Sequence, residues 1–199
     1  MIDWPGRPGS HVPEFSTYEV MEHEYMTEEE YSELLKDFTG FLMRKYIPRA
    51  FPALKGLESF CFNPSIILNS SFLSPLYSEE AQRSFELLGK IGEEERKARK
   101  AADAVSKKLR EQGFPPMFTG VGEAPFDIIG DYFRGTLATL TDQIERMDEL
   151  AEACERMADI QIESWQYFRN TELTVKRVYF PLHKGMDGFM SGEQYRKIY

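Results

Sequence analysis

A histidine, a lysine and an aspartate stand close together at the end of the strand-like run VYFPLHKGMDGFMS, Val178 to Ser191. An imidazole titrates near neutrality, so His183 at a strand mouth can serve as a general acid, a metal ligand or a hydrogen-bond donor to substrate, or it can simply bond a loop carbonyl. Asp187 is spaced to orient His183 or to hold a polar substrate group, although an aspartate before glycine is also a common turn element. Lys184 and Met190 fall in the same loop and are assigned to substrate binding beside the catalytic candidates His183 and Asp187.

A second group lies in GEAPFD. Glu123 and Asp127 flank a short apolar step at the end of another strand-like segment, where two carboxylates can bind substrate or place a proton. Asp127 has a competing structural use, capping the helix that begins DIIGDYF, and this use is favoured. Phe126 suits either an apolar pocket wall or the core, with the core favoured. Arg134 can hold an anion, but pairing with Asp131 on a helix surface is the commoner arrangement. His11 and His23 have no HxH or HxxxH partner, so they read as exposed polar residues rather than ligands. No residue is assigned as a metal ligand. P-loop, GxGxxG, GxSxG and HExxH patterns are all absent.

The chain has 199 residues and a formal charge of −9, with no basic stripe, which disfavours a nucleic-acid partner. Cys61 and Cys154 are isolated from each other, so neither a disulfide framework nor a CxxC zinc site is expected, and a reducing, cytoplasmic setting follows. No apolar run has the length of a membrane span.

The elements that must position these groups are mostly helices. Thr27 followed by Glu30 is a capping-box pattern, and apolar residues at helical spacing predict one helix over 27–46. Residues 51–77 are apolar but broken by prolines and read as irregular or short turns. The longest helical signal runs 78–112, with Ser78 as N-cap, Gly113 as the stop and Gly92 as a point of kinking; its Glu93 to Lys108 charge run reads as a solvated face. Short apolar segments at 116–121 and 176–182 read as strands, and the fifty or so residues between them as a helical crossover. That is a βαβ unit, so the class is α/β with parallel strands. In such folds ligands collect at the C-terminal strand ends, where GEAPFD and LHKGMDGFMS both lie.

Three tracts in order, EHEYMTEEEYSELLKDFTGFLMRKYIPRAF, GEAPFDIIGDYFRGTLATLTDQIERMDELAEACERM and VYFPLHKGMDGFMSGEQYRKIY, resemble the uroporphyrinogen decarboxylase superfamily, in its branch of cobalamin-related methyltransferases and O-demethylases. The resemblance implies a (β/α)8 barrel of TIM type, present here as a helix-rich part with few parallel strands. It also implies one domain over 1–199, with 1–26 an irregular loop over the barrel mouth and 27–199 supplying helices and barrel strands. It further implies zinc and a corrinoid as cofactors, a small-molecule methyl donor such as a methyl ether or methylamine, and a corrinoid or thiol acceptor, the corrinoid carried by a partner protein.

Two alternatives accompany this reading. One is decarboxylation of the acetate side chains of uroporphyrinogen, against which the arginine-poor loops argue. The other is a truncated or split product with no activity alone, which associates with the missing part of the barrel or survives as an interaction module; a homo-oligomer is a further partner expectation.

Overall fold

The computed structural model describes residues 6–19, 21–62, 64, 70–169, 176–186 and 188–199. In chain order its α-helices are α1 (Tyr31–Lys36), α2 (Phe38–Phe41), α3 (Ile47–Ala50), α4 (Glu79–Glu111), α5 (Pro125–Ile128), α6 (Thr136–Glu145), α7 (Met147–Arg169) and α8 (Gly192–Ile198). The strands are β1 (Gly120–Val121) and β2 (Val178–Tyr179). The described residues are thus helix-rich and carry one pair of parallel strands. None of the described helices is long and apolar enough to cross a membrane.

The chain gathers into two compact units, Met1–Met21 with Asp37–Ala98, and Glu22–Lys36 with Arg99–Tyr199. The helix expected over 27–46 is divided between them. It opens as anticipated, with the Thr27 N–H donating to Glu30 Oε2 at 2.9 Å. At Asp37 the backbone leaves helical values (φ −149°) and the side chain accepts from the Gly40 N–H at 2.9 Å, starting α2 afresh. A short aspartate that caps a new turn outcompetes continuation of the old one. The apolar spacing runs across this break, which is why periodicity alone reads one helix.

In the first unit, Phe41, Leu54, Leu57 and Phe60 are buried, and Phe60 meets Phe85 edge to face at 4.9 Å. Of the prolines of 51–77, Pro52 and Pro75 are accommodated in 3₁₀ turns, at Pro52–Leu57 and Ser70–Tyr77. The start of α4 packs here through Ala81 and Ser84. Beyond Ile91 its residues are exposed almost without interruption, and pairs such as Lys97–Glu94 (2.6 Å) lie along the solvated face. Gly92 does not kink it. The helix stops where expected: Gly113 takes φ 87°, and the Phe114 N–H reaches back to the Leu109 carbonyl at 2.9 Å, closing a Schellman-type turn.

The second unit contains the strands. β1 and β2 pair in parallel, Gly120 with Val178 and Val121 with Tyr179. Both are shorter than their apolar segments. Pro181 has no N–H to extend β2, and on the other side Pro115 and Pro116 precede β1. Between the strands, α7 buries Leu150, Ala153, Cys154 and Met157 at helical spacing, against Tyr31 and Leu34 of α1 and the α5 segment that carries Phe126. Large side chains such as Leu150 and Met157, withdrawn from water here, each contribute about 1.5–3 kcal/mol. The long helical stretch anticipated after Asp127 is interrupted twice. Gly135 adopts φ 74°, a left-handed value that favours glycine, and Arg146 leaves helical values at φ −137°. Residues Ile129–Arg134 form a π-helix.

Candidate functional site

The residues after β1 and β2 meet. Glu123 lies one residue past Gly122, whose N–H still bonds the Tyr179 carbonyl, and His183 and Lys184 follow Pro181 and Leu182. α5 starts at Pro125, so Glu123, Asp127 and Asp131 stand four residues apart along one helical entrance.

Asp127 holds the two halves together. It is not the helix cap: Ala124 occupies that position without a side-chain bond, and Asp127 lies inside the first turn, fully buried. Its carboxylate accepts from the His183 N–H (3.4 Å), the Lys184 N–H (3.2 Å) and the Tyr199 hydroxyl (2.7 Å). Burial, then this bond, pushes the Tyr199 hydroxyl well above the ordinary tyrosine value. Asp127 therefore fixes the backbone of the second loop and offers no surface to a ligand.

His183 stands at the open side, its side chain 47% exposed. Its Nε2 lies 3.0 Å from Asp131 Oδ2, 3.8 Å from Glu123 Oε1 and 3.9 Å from Asp127 Oδ2. Asp131 is the member that sequence reasoning paired with Arg134. In the π-helix the wider i→i+5 turn takes residues three apart off a common side, so Asp131 faces the strand ends while Arg134 faces elsewhere. Burial raises the carboxyl pKa of Asp131 despite Lys184, and burial raises that of Glu123 despite a hydrogen bond from Tyr132.

Lys184 is buried, and its ammonium is ion-paired with Asp131 Oδ1 at 2.5 Å. It also donates to Glu22 Oε1 (2.9 Å) and Thr136 Oγ1 (3.1 Å). Burial works against the ammonium, but bonds to Asp131 and Glu22 overcome it and raise its pKa. The stem of Lys184 crosses the face of Gly130, where a Cβ would come within 2.7 Å of Cε. Glu22 caps α6 by accepting from the Thr136 N–H at 3.1 Å, and also accepts from the Thr136 hydroxyl. Burial opposes ionisation of Glu22, yet Thr136 and Lys184 together lower its pKa.

Of the residues singled out from the sequence, Glu123, Asp127, His183 and Lys184 come together. Phe126 is fully buried and packs near the Tyr199 ring, so it belongs to the core rather than to a substrate wall. Met190 is half-buried farther along the loop, and Asp187 lies outside the described residues. His11 and His23 are exposed, and His23 packs edge-on against Tyr25. Asp131 and Glu22 are additions. Asp131 had a legible signal, the four-residue recurrence Glu123, Asp127, Asp131; Glu22 had none, being far away in sequence.

The sequence reading assigned no metal ligand, yet Glu123, Asp131 and His183 offer one oxygen, one oxygen and one nitrogen within 4.8 Å of one another. Such a donor set suits zinc or another first-row divalent ion. No protein-family model, curated protein or solved structure matches the chain.

Proposed function

We propose that this chain carries the substrate end of a (β/α)8-barrel methyltransferase of the uroporphyrinogen decarboxylase type. It would move a methyl group from a small methylated donor, a methyl ether or methylamine, to a thiol or to a corrinoid held by a partner protein. The observation that supports this reading is the acid–base cluster formed by the residues just past two parallel strands, where parallel α/β folds bind ligands.

Attack on the methyl carbon breaks a C–O or C–N bond and leaves the electron pair on the heteroatom. That atom departs readily only if a proton or a cation receives the pair. Without a bound metal, His183, reaching solvent, is the group placed to give the hydrogen bond or proton; with one, His183 serves instead as its ligand. Lys184 and Asp127 hold Asp131 and the His183 backbone in place and do not touch the donor. Phe180, Leu182 and Met186, exposed beside the strand end, would cover the apolar part of the donor. Zinc, if bound by Glu123, Asp131 and His183, would supply Lewis-acid polarisation of the heteroatom. Arg134 is occupied by Asp142 and Glu24 and so does not offer its guanidinium to the carboxylates of uroporphyrinogen, which favours methyl transfer over decarboxylation.

The test is incubation with a panel of aryl methyl ethers and methylamines, with a reduced corrinoid or a thiol as acceptor, followed by chromatography of the demethylated product. Turnover of one class, lowered roughly tenfold or more in His183→Ala, is expected. No demethylation across the panel sinks the reading; an unchanged rate in the variant removes His183 from it.

A further inference from the structure

Resting on the site just described, we propose that Glu123, Asp131 and His183 directly bind one first-row divalent cation, zinc or manganese, with Lys184 retained as an outer partner of Asp131.

Three features carry this. The first is spacing. With metal–ligand bonds of about 2.0–2.2 Å, neighbouring ligands on one ion stand roughly 3.0 Å apart in an octahedral site and roughly 3.4 Å in a tetrahedral one. His183 Nε2 and Asp131 Oδ2 are already at 3.0 Å, Glu123 Oε1 stands 3.8 Å from Nε2, close to the tetrahedral spacing, and all three ligand atoms lie within 4.8 Å of one another, so one carboxylate must move inward to close the site.

The second is that the outer contacts leave the ligand atoms available. Lys184 takes Oδ1 of Asp131, and Oδ2 is the oxygen turned to the imidazole. Tyr132 bonds the Glu123 carboxylate, while Gln161 pins the Glu123 backbone by accepting from its N–H (3.3 Å) and donating to its carbonyl (2.9 Å). Asp127 fixes the His183 backbone. Partners of this kind orient ligands and hold them ready.

The third is charge. Glu22 and Asp131 pair with the Lys184 ammonium, while Glu123, Asp127 and Asp131 all lie within 3.9 Å of His183 Nε2, so a divalent ion on a neutral imidazole would offset much of this carboxylate charge. Since His183 is 47% exposed, the remaining coordination positions face water or substrate, as in catalytic rather than structural sites.

The experiment uses the chain stripped with chelator and titrated with zinc and with manganese by calorimetry, and with cobalt by visible absorption. One ion per chain with ligand-field bands from cobalt is expected. His183→Ala and the near-isosteric Glu123→Gln should each weaken binding by about a hundredfold or more. Lys184→Met should stay within the roughly ten- to hundredfold range of a lost outer partner. His23→Ala, whose exposed ring packs on Tyr25 and takes no part in the cluster, should leave the titration unchanged. Absence of stoichiometric binding in the parent chain, or binding kept by a folded His183→Ala and a folded Glu123→Gln, overturns the assignment. No methyl donor is present, so the titration can succeed while methyl transfer fails, and turnover by the metal-free chain would remove this site while leaving the proposed function.

Discussion

Arg134 and Lys184 are both buried cations in the same unit, and both hold a buried aspartate, but their surroundings differ in kind. Arg134 and Asp142 have side chains 2% and 1% exposed. The guanidinium bonds both Asp142 oxygens (2.6 and 3.1 Å), the Met26 carbonyl (2.7 Å) and Glu24, and the Tyr31 hydroxyl completes the Asp142 carboxylate at 2.7 Å. Lys184 and Asp131 instead stand in an excess of carboxylate, with one side open through His183. The first arrangement saturates both oxygens of Asp142, with Glu24 alone reaching solvent at 52% exposed, and stabilises the packing of α6 against the segment before α1; the second gathers more carboxylates, and its open member is an imidazole. A carboxylate saturated by donors marks scaffold, and a titratable ring at an opening among carboxylates marks a place for a ligand.

The contrast is sharpest under substitution. Asp142→Ala strands Arg134 in the interior and should cost about 3–5 kcal/mol in chemical denaturation. A loss below 1 kcal/mol would erase the distinction. Tyr31→Phe removes one hydrogen bond to that charged carboxylate, a loss of about 1.5–3 kcal/mol by the same measurement, whereas the half-buried Tyr199→Phe on Asp127 should cost less. In the open cluster the sign reverses. Glu123→Gln relieves repulsion from Asp131 and Asp127, so the melting temperature of the metal-free chain should stay level or rise by about 1–3 °C; a clear drop would place Glu123 with the scaffold. The mildest test is chemical. Burial pushes the Cys154 thiol up to about 12, while Cys61 is exposed, so at pH 8 one thiol should react promptly with a disulfide reagent and the second only on unfolding. Two fast thiols in the folded chain would show that the core beneath Asp127 opens readily.

Much of this was legible in the residues. Ser78 and Gly113 bracket α4 because a cap and a left-handed stop are local chemistry, and the two apolar segments pair in parallel, which the long, largely helical stretch between them permits. What escaped the sequence was non-local or a matter of phase. Asp127 looks like a cap until the second loop supplies it with donors from 56 residues away. The Asp37 break is hidden because Phe38 and Phe41 continue the apolar spacing of Tyr31 and Leu34. Glu22 joins Lys184 across 162 residues, with nothing in its own neighbourhood to announce it.

The π-helix at Ile129–Arg134 separates the two clusters by phase alone. Each residue added to or removed from a helix turns everything beyond it by about 100°. A single deletion there, restoring an ordinary α-turn, would swing Asp131 and Arg134 out of register with Lys184 and Asp142 at once. The wide turn thus works as a gear offset, letting one short stretch of chain carry the Asp142 lock on one side and the carboxylate turned to His183 on the other.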